Sequence, residues 1–306
     1  MTVTETIPRV FYSKLLSVLF SLFVLVMCGC GTTKSVVQKI TQSKPDLKKR
    51  VVVLPFIDQA GVGPERAAQI TFDFVERLRK SPNLLLYQPP KGLSLPPGVK
   101  TPEFGIVTHP GLIKTAEGLG MNVLITGVLN PIETTTKKTG VWPFRKSKIN
   151  HEISMVLNVV NVASGCLYLS RHESGEVALP VDEVQGRDEE EITDQVLKKT
   201  IPRILKRQAV AVAKKLTQQP WTGKILAVDN NTIRIPAGKD LGVYPGQLFT
   251  VLAPGESILG RTGRSIGLLG KKIGEIKVTS VMETQSLAVP VVEAAFQPGQ
   301  IIRFRP

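Results

Sequence analysis

The sequence predicts an α+β protein: a three-layer-like α/β domain with a β-hairpin and a long C-terminal helix, followed by a small all-β barrel of the SH3-like kind. Three observations carry this. Between Val51 and Leu129, short β-branched runs alternate with segments of helical period. After the acidic cluster Asp188–Glu191 a single apolar stripe continues to about Thr217. From Trp221 onward helical periodicity gives way to short strands bounded by glycine.

Taken in order, Val51-Val-Val-Leu-Pro-Phe-Ile57 suits a buried strand, because it is apolar throughout and rich in β-branched residues. Gly61-Val-Gly63 breaks it. Pro64 and Glu65 suit the first turn of a helix, where a missing N–H costs nothing and a carboxylate matches the dipole. Ala67, Ile70, Phe74 and Leu78 form its buried stripe, and Ser81-Pro82 ends it. Leu84–Tyr87 is a second strand, 89–105 a Pro/Gly-rich loop, and 110–119 a short helix. Asn122–Leu129 is a third buried strand.

Residues 149–162 and 166–177 are predicted to pair around Ala163-Ser164-Gly165. In the long helix Ile192, Val196, Ile204, Leu205, Val212 and Leu216 supply the apolar stripe. Asp188–Glu191 at its start read as capping and dipole-matching residues, and Lys206, Arg207, Lys214 and Lys215 suit its far end. Pro202 is expected to kink or restart it. Beyond Trp221, Gly223–Val228 and Thr232–Pro236 flank Asp229-Asn-Asn231 as a hairpin. Further strands fit 247–252, 272–283, 286–292 and 300–304, in a small barrel or sandwich.

The first residues form a separate signal. Arg9 and Lys14 precede the uncharged run Leu15–Met27, which closes on Cys28-Gly29-Cys30-Gly31. A basic start, an apolar stretch and a small-residue end define an export leader. As a helix the run spans about 20 Å, short of a hydrocarbon core of about 30 Å. An uncleaved anchor is the alternative. Met27-Cys28-Gly29-Cys30 resembles the bacterial lipobox, which would make Cys30 the lipidated N-terminus of the mature chain, with Cys28 as the alternative. Gly31 in that position implies outer-membrane sorting in a Gram-negative source. The divisions are then 1–29 signal peptide, 30–50 lipidated tether ending in the solvated run Lys48-Lys49-Arg50, 51–218 α/β domain, and 221–306 barrel.

An acylated Cys30 leaves Cys166 without an internal disulfide partner, and Cys166 reads as a buried small hydrophobe. His109, His151 and His172 have no zinc-site spacing. Lys and Arg total 39 against 25 Asp and Glu, a formal charge of +14, which favours anionic partners.

Both domains are similar to known families. Val51–Phe56, Asn122-Val-Leu-Ile-Thr-Gly127 and Val160-Asn-Val-Ala-Ser-Gly165 with Leu167–Ser170 resemble the curli-secretion lipoprotein and the middle domain of flagellar assembly protein T. The last of these stands close to that family's Asp…Thr-Gly hairpin, with Asn161 for Asp and Ser164 for Thr. Ile233–Gly238, Leu241–Val251, Gly274–Val281 and Pro298-Gly299 resemble the C-terminal domain of flagellar assembly protein T. Gly242 and Gly246 fit its tight turns, and Val243 and Phe249 its core. The resemblance implies a periplasm-facing scaffold of a surface-organelle or secretion assembly. One departure bears on pore formation. Residues 131–148 are too short and too basic for a membrane-spanning hairpin of strands about 9–11 residues long.

No catalytic, cofactor or metal site is assigned, and an enzyme is not expected. Gly263-Arg-Ser265-Ile-Gly267 matches the nucleophile-elbow string, but the motif needs a strand-to-helix turn and a later histidine, and none follows His172. Two clusters are candidate contact sites. Trp142 and Phe144 beside Arg145, Lys146 and Lys148 suit a protein or membrane interface. Arg261, Arg264, Lys271 and Lys272 suit an anion-binding edge. The expected partners are envelope proteins, further copies of the chain, the membrane through the lipid anchor, and peptidoglycan or anionic lipid. A basic barrel binding an anionic polymer is the alternative. For nucleic acid, the export leader argues against it.

Overall fold

The computed structural model describes residues 46–89, 110–141, 146–253, 255, 257–259, 265–267, 270–292 and 294–305. The architecture is α+β, with a mixed sheet flanked by helices and a second, antiparallel sheet.

The first sheet contains β1 (Lys49–Val53), β2 (Ile57–Asp58), β3 (Leu84–Tyr87), β4 (Val123–Leu129), β5 (Glu133–Thr139), β6 (Lys146–Asn161) and β7 (Leu167–Pro180). β1 lies between β3 and β4, parallel to both. β6 serves two neighbours along one edge: Met155–Asn161 pairs with β4, and Lys146–Glu152 with β5. β7 pairs antiparallel along its other edge.

The apolar run at Val51 is continuous because both faces are covered. Val51 and Val53 join a core with α1 (Pro64–Arg79) and α4 (Glu189–Gln218). Val52 and Leu54 join another with Leu112 and Ala116 of α2 (Pro110–Gly118). The period of two sorts successive residues to opposite faces. The predicted strand is divided at Leu54-Pro55-Phe56, where proline removes a ladder donor, and resumes as β2 beside β4. Phe56 folds over the sheet instead. Its ring stands 5.5 Å from that of Phe74 and over Gly127, where a Cβ would come within 2.5 Å of it.

α1 buries Ala67, Ile70, Phe74 and Leu78, the predicted stripe. Its entry is held by Asp58, whose carboxylate accepts from the N–H groups of Val62 (3.2 Å) and Gly63 (2.9 Å). A short helix, α3 (Val181–Val184), precedes α4. α4 continues through the exposed Pro202 rather than restarting there. Buried Gln208 fixes it to the sheet, its Nε2 donating to the carbonyls of Met155 and Arg171, each at 3.1 Å.

The second sheet contains β8 (Thr222–Lys224), β9 (Ala227–Asp229), β10 (Thr232–Ile235), β11 (Leu248–Leu252), β14 (Lys272–Val281), β15 (Ser286–Pro290) and β16 (Ile301–Phe304). The order is β8-β16-β11-β14-β15-β10-β9. β8 and β9 are halves of one bent segment. Ile225 N–H donates to Gln300 O, and Leu226 N–H to Arg234 O, each at 2.9 Å, so this segment joins the two ends of the sheet. Trp221, Phe249 and Phe304 stack inside it with ring separations of 5.6 Å, alongside Val243. Gly242 and Gly246 both have positive φ, as the turns around Val243 require. The stretch before β14 carries a two-stranded ladder of β12 (Ser257–Leu259) and β13 (Ser265–Gly267).

Candidate functional site

The most organised polar cluster joins the two sheets, through residues that no local sequence pattern marks. In the run Lys48-Lys49-Arg50, Lys48 is exposed but Lys49 and Arg50 are not solvated tether. β1 begins at Lys49, Lys49 and Arg50 are 3% and 4% exposed, and the preceding Leu47 is buried in the second sheet's core. Asp46 begins the compact unit that holds both sheets. Burial lowers the Lys49 pKa, and Asp46 at 3.0 Å opposes that shift.

Arg50 uses all its side-chain donors. Nε and Nη2 form a fork on Asp240 at 2.8 and 2.9 Å. Nη1 donates to the carbonyls of Gly120 (3.3 Å) and Pro236 (3.1 Å), and Nη2 also to that of Thr284 (2.9 Å). Planar, five-donor guanidinium suits such a site where an ammonium does not. Around it, Asn122 Oδ1 accepts from Arg50 N–H at 2.9 Å and its Nδ2 donates to Thr222 O at 3.0 Å. Asn161 Nδ2 donates to Thr222 Oγ1 at 2.9 Å and to the Tyr168 hydroxyl. Burial raises the Tyr168 pKa, and its contacts with Thr222 and Asn161 oppose the rise. Lys224 closes the rim on Glu117 at 2.7 Å. With every donor of Arg50 engaged and the surrounding amides paired across the boundary, this cluster fixes one sheet against the other.

Of the predicted contact residues, the structure describes Lys271 and Lys272. Cys30, Trp142, Phe144, Arg145, Arg261 and Arg264 lie outside the described residues, as does His109. Residues 131–148 contribute to a hairpin whose first strand, β5, has seven residues, short of the about 9–11 of a membrane-spanning strand. β5 and β6 pair from Glu133 with Glu152 to Thr139 with Lys146, and 140–145 connects them. Glu133 through Lys138 are exposed, and these are Thr, Lys and Glu rather than the alternating apolar residues of a lipid-facing strand. Lys271 is exposed. Lys272 is not a free cation: it pairs with Glu275 at 2.6 Å, which Arg305 also reaches at 2.9 Å. The Lys272 hydrogen bond, followed by the charges of Lys272 and Arg305, lowers the Glu275 pKa.

Three further expectations change. Cys166 is half-buried in the β6–β7 turn rather than in the core. Asp188 stands at the N-cap of α4 without a side-chain capping bond, while Glu189–Glu191 do occupy its first turn. Glu190 and Asp194 hold Arg66 of α1 at 2.9 and 3.0 Å. Ser265 lies in β13, paired to β12, so the strand-to-helix turn of a nucleophile elbow is not formed there. Among the described residues no three His, Cys, Asp or Glu side chains group as metal ligands, and no helix is long and apolar enough to cross a membrane.

His151 is 7% exposed, with Nδ1 3.1 Å from Thr134 Oγ1 and Nε2 without a partner. Burial lowers its pKa below the ordinary 6.5. The unfolded chain therefore binds the proton first, and stability is lost as pH falls through 6.5 toward the folded value. Urea midpoints measured from pH 7.5 to 5 should decline, and His151→Gln should flatten that part of the decline. An unchanged slope in the variant would contradict the assignment.

No protein-family profile matches the sequence, and no curated protein matches it. Solved structures similar to it include a hypothetical protein from Chlamydia trachomatis, at 16% identity over 56% of this chain and 98% of that one, TM-score 0.36. A lipoprotein from Neisseria meningitidis is 10% identical over 55% of this chain and 97% of its own, TM-score 0.28. A minor lipoprotein from Acinetobacter baumannii is 6% identical over 55% and 92%, TM-score 0.28.

Proposed function

We propose that this chain is a lipid-anchored structural component of the bacterial envelope, bracing a surface-organelle or secretion assembly through protein contacts. The observation that carries the reading is the leader. A basic start, an apolar run too short to span a bilayer and the closing Cys28-Gly29-Cys30-Gly31 together supply an export signal and an acylation site. Acyl chains on Cys30, at about 0.8 kcal/mol per buried CH₂, would hold the protein at the membrane. Gly31 fits retention at the outer membrane, with the body facing the periplasm.

The body suits bracing. We read its first sheet with helices on both faces as a three-layer α/β domain, and the second sheet as a small SH3-like barrel. The Arg50 cluster supports treating both as one rigid strut. The exposed β5 edge and the residues Trp142, Phe144 and Arg145 that follow it are the proposed protein contact. Arg261, Arg264 and Lys271 offer a cationic, anion-binding edge, which also favours a second reading, binding of peptidoglycan or another acidic polymer. Fractionation tests the anchor: the unaltered chain should pellet with membranes and Cys30→Ser should move to the soluble fraction. Equal distribution of the two would contradict the proposal.

A further inference from the structure

The charge of α4 is divided along its length. Its acids are confined to the start, and from Gln195 to Gln218 the sequence holds cations and no acidic residue. Most of these cations share one side of the helix. At about 100° per residue, Lys199, Arg203, Lys206, Arg207 and Lys214 fall in one sector about 100° wide, opposite the stripe Ile201, Leu205 and Val212, with Lys198 flanking that sector. All six are exposed, while the stripe is buried. Pro202 lies exposed within this face, and Val210, 61% exposed, lies near its middle.

Only one of these six is neutralised nearby, Arg207 by Glu173 at 3.6 Å. The other five make no ion pair among the described residues. Helices use basic residues near the C-terminus to answer the macrodipole, but that effect fades beyond the last turn. Lys198, Lys199 and Arg203 lie well outside it. The dipole therefore does not account for them.

We infer that the solvent face of α4 is a docking surface for an anionic lipid bilayer, the one that carries the chain's own anchor. This rests on the lipid-anchored reading and adds to it the face the body presents. From Lys198 to Lys214 the face is about 24 Å long at the helical rise. It is a convex ridge of separated charges, suited to a sheet of headgroups rather than to a small ligand that needs a pocket. The stretch between Cys30 and Asp46 carries Lys34, Lys39 and Lys44 and no acid. Fully extended it reaches no more than about 55 Å, so an anchored body stays beside its membrane. Trp221, which follows α4, and Leu47, which follows that stretch, are buried in the same core. The basic end of the helix and the point of chain entry thus share one end of the body. A second copy offers a poorer fit, since Glu190 and Asp194 in its acidic patch are already engaged by Arg66.

The test uses residues 31–306 without acyl chains, a span that retains every buried core. Sedimentation with phosphatidylcholine vesicles is compared with sedimentation on vesicles that also contain phosphatidylglycerol. Each basic residue at an anionic surface raises affinity roughly fivefold. Replacing Lys199, Arg203, Lys206 and Lys214 together by Gln should therefore weaken binding to the anionic vesicles roughly 600-fold. Binding should vanish at about 0.5 M salt and be absent on neutral vesicles. Circular dichroism of the variant should be unchanged, because all four side chains are exposed. Undiminished vesicle binding by the variant would overturn the inference, as would a wild-type chain that ignores anionic vesicles. So would a substitution whose effect fell instead on self-association, on isolated sacculi or on nucleic acid. Because no acyl group takes part, failure here leaves the Cys30 result independent.

Discussion

Arg50→Ala should destabilise the protein by about 3–5 kcal/mol, the range for removing one partner of a buried ion pair. The cost comes from what is left behind. Asp240, 14% exposed, keeps a charge without its fork, and the carbonyls of Gly120, Pro236 and Thr284 each lose a donor. The loss falls on the junction rather than within either core, so the variant should unfold in two steps where the parent unfolds in one. Arg50→Lys keeps the charge but cannot form the fork, and should recover only part of the loss. Urea denaturation followed by far-UV circular dichroism and by tryptophan fluorescence reads both effects. A single transition with an unchanged midpoint would show that the junction does not couple the sheets.

Trp221→Ala should cost about 3–5 kcal/mol, the range for truncating a large buried aromatic. Trp221 is fully buried, packs edge-on against Phe249 at 5.6 Å and sits over Gly223, where a Cβ would come within 2.5 Å of its ring. Trp221→Phe separates packing from polarity. The indole Nε1 is buried without a partner, so Phe removes a penalty of about 1–3 kcal/mol while giving up part of the ring contact. Phe should therefore lose much less than Ala. Equal losses would mean that indole shape, not apolar volume, holds this core.

What the sequence conveyed and what it concealed differ by the range of the interaction. The α1 stripe and the Val51 run were legible because a local period reports which face is buried. The division at Pro55 was not, since it depends on Phe56 finding Phe74 and Gly127. Arg50 was read as solvent-exposed because charge runs usually are, and its partner Asp240 lies 190 residues away. β5 has no alternation to detect, as nearly all of it faces water. The absence of a capping bond at Asp188 is a matter of side-chain orientation, which residue type does not specify. Of the proposed contacts, the cationic half of α4 was visible in part as Lys206, Arg207 and Lys214. Only the burial of the opposite stripe shows that Lys199 and Arg203 continue the same face.

Labelling of growing cells with a palmitate analogue tests the central claim most directly. The full-length chain should incorporate the label, migrate as a processed form lacking the leader, and lose both properties in Cys30→Ser while Cys166→Ser retains them. A chain that stays unlabelled and unprocessed, or whose label survives loss of Cys30, would contradict the account.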